Sequence, residues 1–138
     1  MSEYRCRACV LFCMDFRLHG GLDRFLKDEG LDRDGTDLIR VAGAARALAQ
    51  PDNPRDREWL LEQLGVSHDL HQARQIYVIN HEDCGAYGPE QIPDSSLELE
   101  IHRRDLRAAG GLVRERFPDV EVIPCFMWLG GRADRIID

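Results

Sequence analysis

The sequence predicts an α/β fold: a central, mainly parallel β-sheet of about four strands flanked by helices, forming a single domain over residues 1–138. Two observations carry this. Short apolar runs alternate with helix-period patterns along the chain, and the residues with the most chemistry in them fall directly after two of those runs. No internal repeat or low-complexity stretch interrupts the pattern.

The first run, residues 9–14, reads as a strand. The pair Gly20-Gly21 suggests a turn, and a short helix over residues 22–29 ends at Gly30. A second strand, residues 37–41 (DLIRV), leads into the small-residue turn Ala42-Gly43-Ala44-Ala45, which is suited to opening a helix with free backbone N–H groups. Asn53 and Pro54 form a cap and first-turn pair. They are followed by an apolar stripe of Trp59, Leu60, Leu61 and Leu64 that ends at Gly65. The third strand, residues 75–80 (QIYVIN), runs straight into His81-Glu82-Asp83-Cys84-Gly85. Ser95 with Glu98 reads as a capping box for a long helix over residues 96–117, which Gly110 and Gly111 are placed to bend. Residues 120–129 supply a fourth strand, with Pro124 marking a bulge or an edge.

Composition excludes several classes of function. A hydrophobic fraction of 43% with 31% charged residues is that of a folded globular chain, and a net charge of -7 argues against a nucleic-acid partner. The N-terminal apolar run is too short to span a bilayer and reads as a strand, so no membrane association is expected. Five cysteines without a secretory signal point to a reducing, cytoplasmic setting where thiols serve metal or redox chemistry. A zinc-deaminase reading fails because Pro124-Cys125 lacks a second cysteine three residues on. A phosphatase reading of Cys84 fails because no arginine follows in its loop.

In a parallel sheet, ligands bind beyond the carboxyl ends of the strands. Cys13, Asp15 and Arg17 lie two apart at the end of the first strand, so in extended chain their side chains share one side. His81 and Cys84 occupy the turn after the third strand, where an imidazole and a thiolate three residues apart can converge on one ion, with Gly85 relieving crowding beside them. Two thiolates and one imidazole favour zinc over magnesium or calcium and leave a fourth position open. Zinc with two thiolates and a neutral imidazole is already electrically neutral. If Arg17 holds Asp15 in a bidentate pair, the carboxylate is drawn off the metal and acts as a gate.

The segments Cys13-Met14-Asp15-Phe16-Arg17 and His81-Glu82-Asp83-Cys84-Gly85 resemble the two zinc-binding motifs of the β-class carbonic anhydrases. Ile39-Arg40-Val41-Ala42-Gly43 is similar to that family's second strand, and Leu61-Glu62-Gln63-Leu64-Gly65-Val66 to its preceding helix. The resemblance spans nearly the whole chain. It implies a zinc enzyme that reversibly hydrates carbon dioxide to bicarbonate by zinc-bound hydroxide, more active at alkaline pH, assembled as a homodimer or a multiple of dimers. It implies Cys13, His81 and Cys84 as metal ligands, Asp15 and Arg17 as the catalytic dyad, Asp15 as fourth ligand in a closed state, and Gly85 as lining the substrate pocket. The chain departs from the family at Phe16, Val41, Ala44 and Asn80, and the sequence begins almost at the first strand, where fuller members carry extra N-terminal helices. Relatives that hydrolyse carbonyl sulfide or carbon disulfide imply an alternative small linear substrate, and a non-catalytic zinc-binding interaction or sensor protein is a third reading.

The remaining candidates read more simply. Cys6 and Cys9 form a C-x-x-C spacing without a second pair and are expected to be a surface and a core thiol, and Cys125 a core thiol. His19, His68 and His71 read as loop residues, and His102 as a helix residue in surface contact with Glu98 one turn earlier.

Overall fold

Five strands, β1 (Ala8–Phe12), β2 (Thr36–Arg40), β3 (Gln75–His81), β4 (Glu121–Met127) and β5 (Ala133–Arg135), form one sheet in the order β2-β1-β3-β4-β5 in the computed structural model, which describes residues 4–137. Residues 1–3 and 138, part of the span read as one domain, lie outside the described residues. The first four strands are mutually parallel, as expected. β5 is a short antiparallel addition beside the end of β4. Pro124 lies where the β4–β5 ladder ends: its carbonyl accepts from Ile136 N at 2.9 Å, and with no N–H it returns no bond.

β1 has no polar residue and every one of its side chains is buried, because helices cover both faces of the sheet at its centre. One face packs Cys9, Leu11, Ile76, Val78 and Val122 under α3 (Ala45–Ala49), α4 (Pro54–Leu70) and α6 (Glu98–Arg116). The other packs Val10, Phe12, Tyr77 and Ile79 under Leu18, Leu22 and Leu31 of the segment holding α1 (His19–Asp28) and α2 (Leu31–Asp34). β1 pairs with β2 on one side and β3 on the other. The strand order therefore reverses at β1, and the crevice this opens lies at the carboxyl ends of β1 and β3.

Several boundaries differ from the sequence reading, each for a tertiary reason. Gly20 and Gly21 form no turn before α1 but lie in its first turn. A Cβ on Gly21 would stand 2.9 Å from Met127 Sδ and 3.1 Å from Gly131 Cα, so glycine lets this helix press against the β4–β5 connection. α4 does not stop at Gly65 but runs on to Leu70, with Gly65 seated against the Phe117 ring. His68 is therefore helical and His71 is its C-cap, neither a loop residue. Trp59, placed in the apolar stripe, is half exposed, whereas Leu60, Leu61 and Leu64 are buried. α6 runs unbroken through Gly110 and Gly111. Its approach is capped by Asp94, which accepts from Ser96 N, and not by a Ser95–Glu98 box. The Glu98 carboxylate accepts from Asp83 N at 2.7 Å instead.

Candidate metal centre

Cys13 immediately follows the end of β1, His81 is the last residue of β3, and Cys84 lies in the turn that Asp83 makes with φ +57. The two strand ends bring the sulfurs of Cys13 and Cys84 to 3.9 Å, with all donor atoms of Cys13, His81 and Cys84 within 4.8 Å of one another. Two sulfurs each about 2.3 Å from a tetrahedral zinc stand roughly 3.8 Å apart, so this spacing fits two thiolates sharing one ion. His81 Nδ1 lies 2.7 Å from the Glu82 carbonyl, to which it donates, and this leaves the Nε2 lone pair free. That Nε2 is buried and has no hydrogen-bond partner. A buried acceptor aimed at two sulfurs is the electronic demand a soft divalent cation meets.

The electrostatics agree. The hydrogen bond from Cys84 draws the Cys13 thiol well below the usual thiol range, against burial and with help from His81 and the Gly43 and Asp15 backbone. Cys84 is pushed up because it holds the proton the two sulfurs share, and burial adds to this. Burial lowers the His81 pKa, but the neighbouring Cys13 sulfur, the bond to the Glu82 carbonyl and the Asp15 charge outweigh it and raise it.

Asp15 and Arg17 are not in extended chain. Asp15 caps a 3-10 turn over Phe16–Leu18, accepting from Arg17 N at 2.9 Å, which folds the two side chains back on each other. Arg17 Nε lies 3.1 Å from both Asp15 oxygens and Nη2 is 2.6 Å from Oδ2. The same guanidinium reaches Asp83 Oδ2 at 3.0 Å and the Asp83 carbonyl at 2.8 Å, so it links the two motif loops. Its hydrogen bonds hold the Asp15 carboxyl down at about 2. Asp15 Oδ2 stands 3.8 Å from His81 Nε2, at the edge of the donor triangle.

A family model described as "Putative carbonic anhydrase" matches residues 3–132. The chain belongs to this carbonic anhydrase family. An uncharacterized protein of Rickettsia bellii is 29% identical over 133 residues, covering 94% of this chain and 80% of the relative. A protein of Rickettsia conorii is likewise 29% identical, with 94% and 71% covered. Among solved structures, the carbonic anhydrase from Streptococcus mutans superposes with a TM-score of 0.65 at 17% identity over 97% of this chain and 84% of that one. A carbon disulfide hydrolase superposes at 0.58 with 15% identity over 96% and 80%. These likenesses establish the fold.

Within this carbonic anhydrase fold, four side chains that the sequence reading did not assign to the site position its loops. Arg40 donates to the carbonyls of Cys13 at 2.9 Å and Asp15 at 3.1 Å and lies over the Phe12 ring. Asp83 completes the Arg17 pair, and Glu98 pins the Asp83 N–H. Asn80, noted only as a departure from the family, is buried. Its Oδ1 accepts from Ala45 N, and its Nδ2 lies 2.8 Å from Tyr87 Oη and 2.9 Å from His102 Nδ1. Tyr87 in turn donates to Asp105, which also receives Gln50. His102 is therefore no surface residue. It is fully buried, with Nε2 4.0 Å from Glu98, and burial followed by the proximity of His81 pulls its pKa down to about 4. Only the position of Arg40 and Asp83 inside the quoted motifs hinted at their part.

Gly85 relieves no crowding, since a Cβ there would meet nothing within 4 Å. It lines two clefts instead. One, of about 590 Å³, is walled by Cys13, Met14, Phe16, Ala42 and Ala86, and the other, of about 330 Å³, by Cys84, Gly88, Pro89, Ile92 and Glu98. Phe16 stands 77% exposed at the mouth of the first. His19 opens α1 and lies 2.6 Å from Arg40 Nη1. Cys9 and Cys125 are core thiols as expected, and Cys6 is half-buried.

Proposed function

We propose that Cys13, His81 and Cys84 hold one zinc ion and that the chain reversibly hydrates carbon dioxide to bicarbonate. The observation that carries this reading is the buried, partnerless His81 Nε2 facing two sulfurs 3.9 Å apart, in a chain of the carbonic anhydrase family. Bound zinc supplies Lewis acidity and an acidified water. The chain's own residues do the rest. Arg17 holds the Asp15 carboxylate at the edge of the donor triangle, where it accepts a hydrogen bond from a donor at the fourth position or, in a closed state, takes that position itself. Arg17 also ties Asp15 to Asp83, so both loops keep one geometry. The missing side chain at Gly85 leaves room for a small linear substrate. Zinc analysis combined with stopped-flow carbon dioxide hydration tests this. Turnover above buffer that rises toward alkaline pH supports the reading, and retained zinc with no turnover rejects it in favour of a non-catalytic zinc module.

One observation favours a second reading. The larger cleft is mostly apolar, with Met14, Phe16, Ala42 and Ala86 in its wall, which suits hydrolysis of carbonyl sulfide or carbon disulfide on the same centre. Release of sulfide from either compound, faster than carbon dioxide hydration, selects it. We take the assembly to be a homodimer, because β2 is an open sheet edge with Leu38 exposed, and Met14 and Phe16 are exposed beside the site. Analytical ultracentrifugation checks this. Unpaired thiols at all five cysteines suit a reducing compartment such as the cytoplasm. Among the described residues no helix is long and apolar enough to cross a membrane.

A further inference from the structure

We propose a second divalent-cation site at the opposite end of the sheet, formed by Cys6, Asp37 and His71 and suited to zinc or another borderline-soft metal. The C-x-x-C spacing does not mark this site, because Cys6 is grouped with Asp37 and His71 and not with Cys9. Three separate segments deliver the donors: the residue pair preceding β1, the second residue of β2, and the C-cap of α4. Their sulfur, carboxylate oxygen and imidazole nitrogen lie within 4.8 Å of one another. Cys6 Sγ stands 3.6 Å from Asp37 Oδ2, and His71 Nδ1 stands 2.6 Å from the same oxygen.

The scaffold around them is fixed. Cys6 N donates to the His71 carbonyl at 3.0 Å, and Arg7 N to the Gly35 carbonyl at 3.0 Å, so the backbones carrying the donors are bonded to one another or to adjacent turns. Gly35, at φ +84, lets Cys6 approach, since a Cβ there would lie 3.3 Å from Cys6 Cβ in a backbone conformation that other residues rarely adopt. Ser67 donates to Asp37 Oδ2 at 2.7 Å, the kind of outer hydrogen bond that orients a carboxylate ligand. Asp37 and His71 side chains are about 30% exposed, at 31% and 29%, so an ion and a completing water can reach them.

Charge and proton balance close as well. A dication against one thiolate and one carboxylate is neutral. On binding, the Cys6 thiol proton leaves to solvent, and neutral His71 carries its proton on Nε2 while Nδ1 faces the ion. Asp37 keeps its bond from Ser67 and exchanges those from Cys6 and His71 for the metal. Six residues of near-extended chain separate Cys6 from Cys13, a span of roughly 20 Å, so the two sites cannot share an ion.

The test is metal stoichiometry on the full chain, stripped of metal and titrated with cobalt(II) alone, in wild type, Cys6→Ser and His71→Gln. Each variant is expected to bind one equivalent fewer than wild type, with an unchanged far-ultraviolet circular dichroism spectrum. With both sites filled, wild type has three cobalt–thiolate bonds, so Cys6→Ser should lose about a third of the sulfur-to-cobalt charge-transfer absorption. Uptake that is the same in all three proteins overturns the proposal, whatever its total. If the Cys13–His81–Cys84 reading fails instead, wild type binds one equivalent that both variants lose, so the two failures are distinct.

Discussion

The two donor clusters at opposite ends of β1 differ in how far protein hydrogen bonds alone satisfy them. At the carboxyl end, His81 Nε2 is buried without a partner and the two sulfurs stand at the spacing of ligands to a common ion. At the amino end, a single oxygen of Asp37 accepts from Ser67, His71 and Cys6, and the cluster is partly buried. The first leaves a buried acceptor that a cation would satisfy, whereas the second must give up two hydrogen bonds to take one. The lesson is that unmet acceptors, more than the number of ligand-type residues, mark where a metal is held tightly.

Changes at the carboxyl end should have the largest effects. Cys84→Ser removes one of the two sulfurs of the donor triangle. It is expected to abolish carbon dioxide hydration and weaken zinc retention by more than about 100-fold, measured by chelator competition. If instead the amino-end cluster is the tighter one, the same competition in wild type strips the Cys13–Cys84 metal first, which inverts the comparison.

Arg17→Ala leaves the ligands in place but frees Asp15 from its bonds to the guanidinium. Turnover is expected to fall on the order of 100-fold with zinc content unchanged, because the carboxylate beside the donor triangle then loses the group that orients it. Equal turnover with bound zinc removes the dyad from the account.

The polar network behind the carboxyl-end site sharpens the contrast through acid. His102 has its pKa pulled from 6.5 down to about 4, so between those values the unfolded chain takes up a proton that the folded one refuses. Stability contributed by the neutral imidazole is full above about pH 6.5 and is lost as pH falls toward 4. The loss is on the order of 3 kcal/mol. Urea titrations at pH 7 and pH 4.5 should show it in wild type and largely lose the difference in His102→Gln. A wild type equally stable at both pH values contradicts the buried neutral histidine.

Glu98→Gln should act most weakly. It removes the charge from the bond to Asp83 N while keeping an acceptor, so a loss of about 1 kcal/mol and a few-fold fall in turnover are expected from thermal melts and kinetics.

Much of this was legible in the sequence, for a specific reason. β1 and β3 are apolar runs whose ends carry Cys13 and His81-Glu82-Asp83-Cys84, and a parallel sheet places such ends side by side. What was not legible depended on distant partners. The 13–17 segment reads as extended until Asp15 caps its own 3-10 turn. Glu98 reads as half of a capping box until Asp83 N is found beside it. His102 reads as exposed until Asn80, 22 residues away, satisfies its Nδ1. His71 and Cys6 show their relation only after α4 runs past Gly65 and delivers one to the other.

X-ray absorption at the zinc edge, on Cys6→Ser protein carrying one equivalent of zinc, tests the central claim most directly. The account predicts two sulfur neighbours at about 2.3 Å and the remaining nitrogen or oxygen neighbours near 2.0 Å, one of them an imidazole. A shell of nitrogen and oxygen alone, or with a single sulfur, contradicts it.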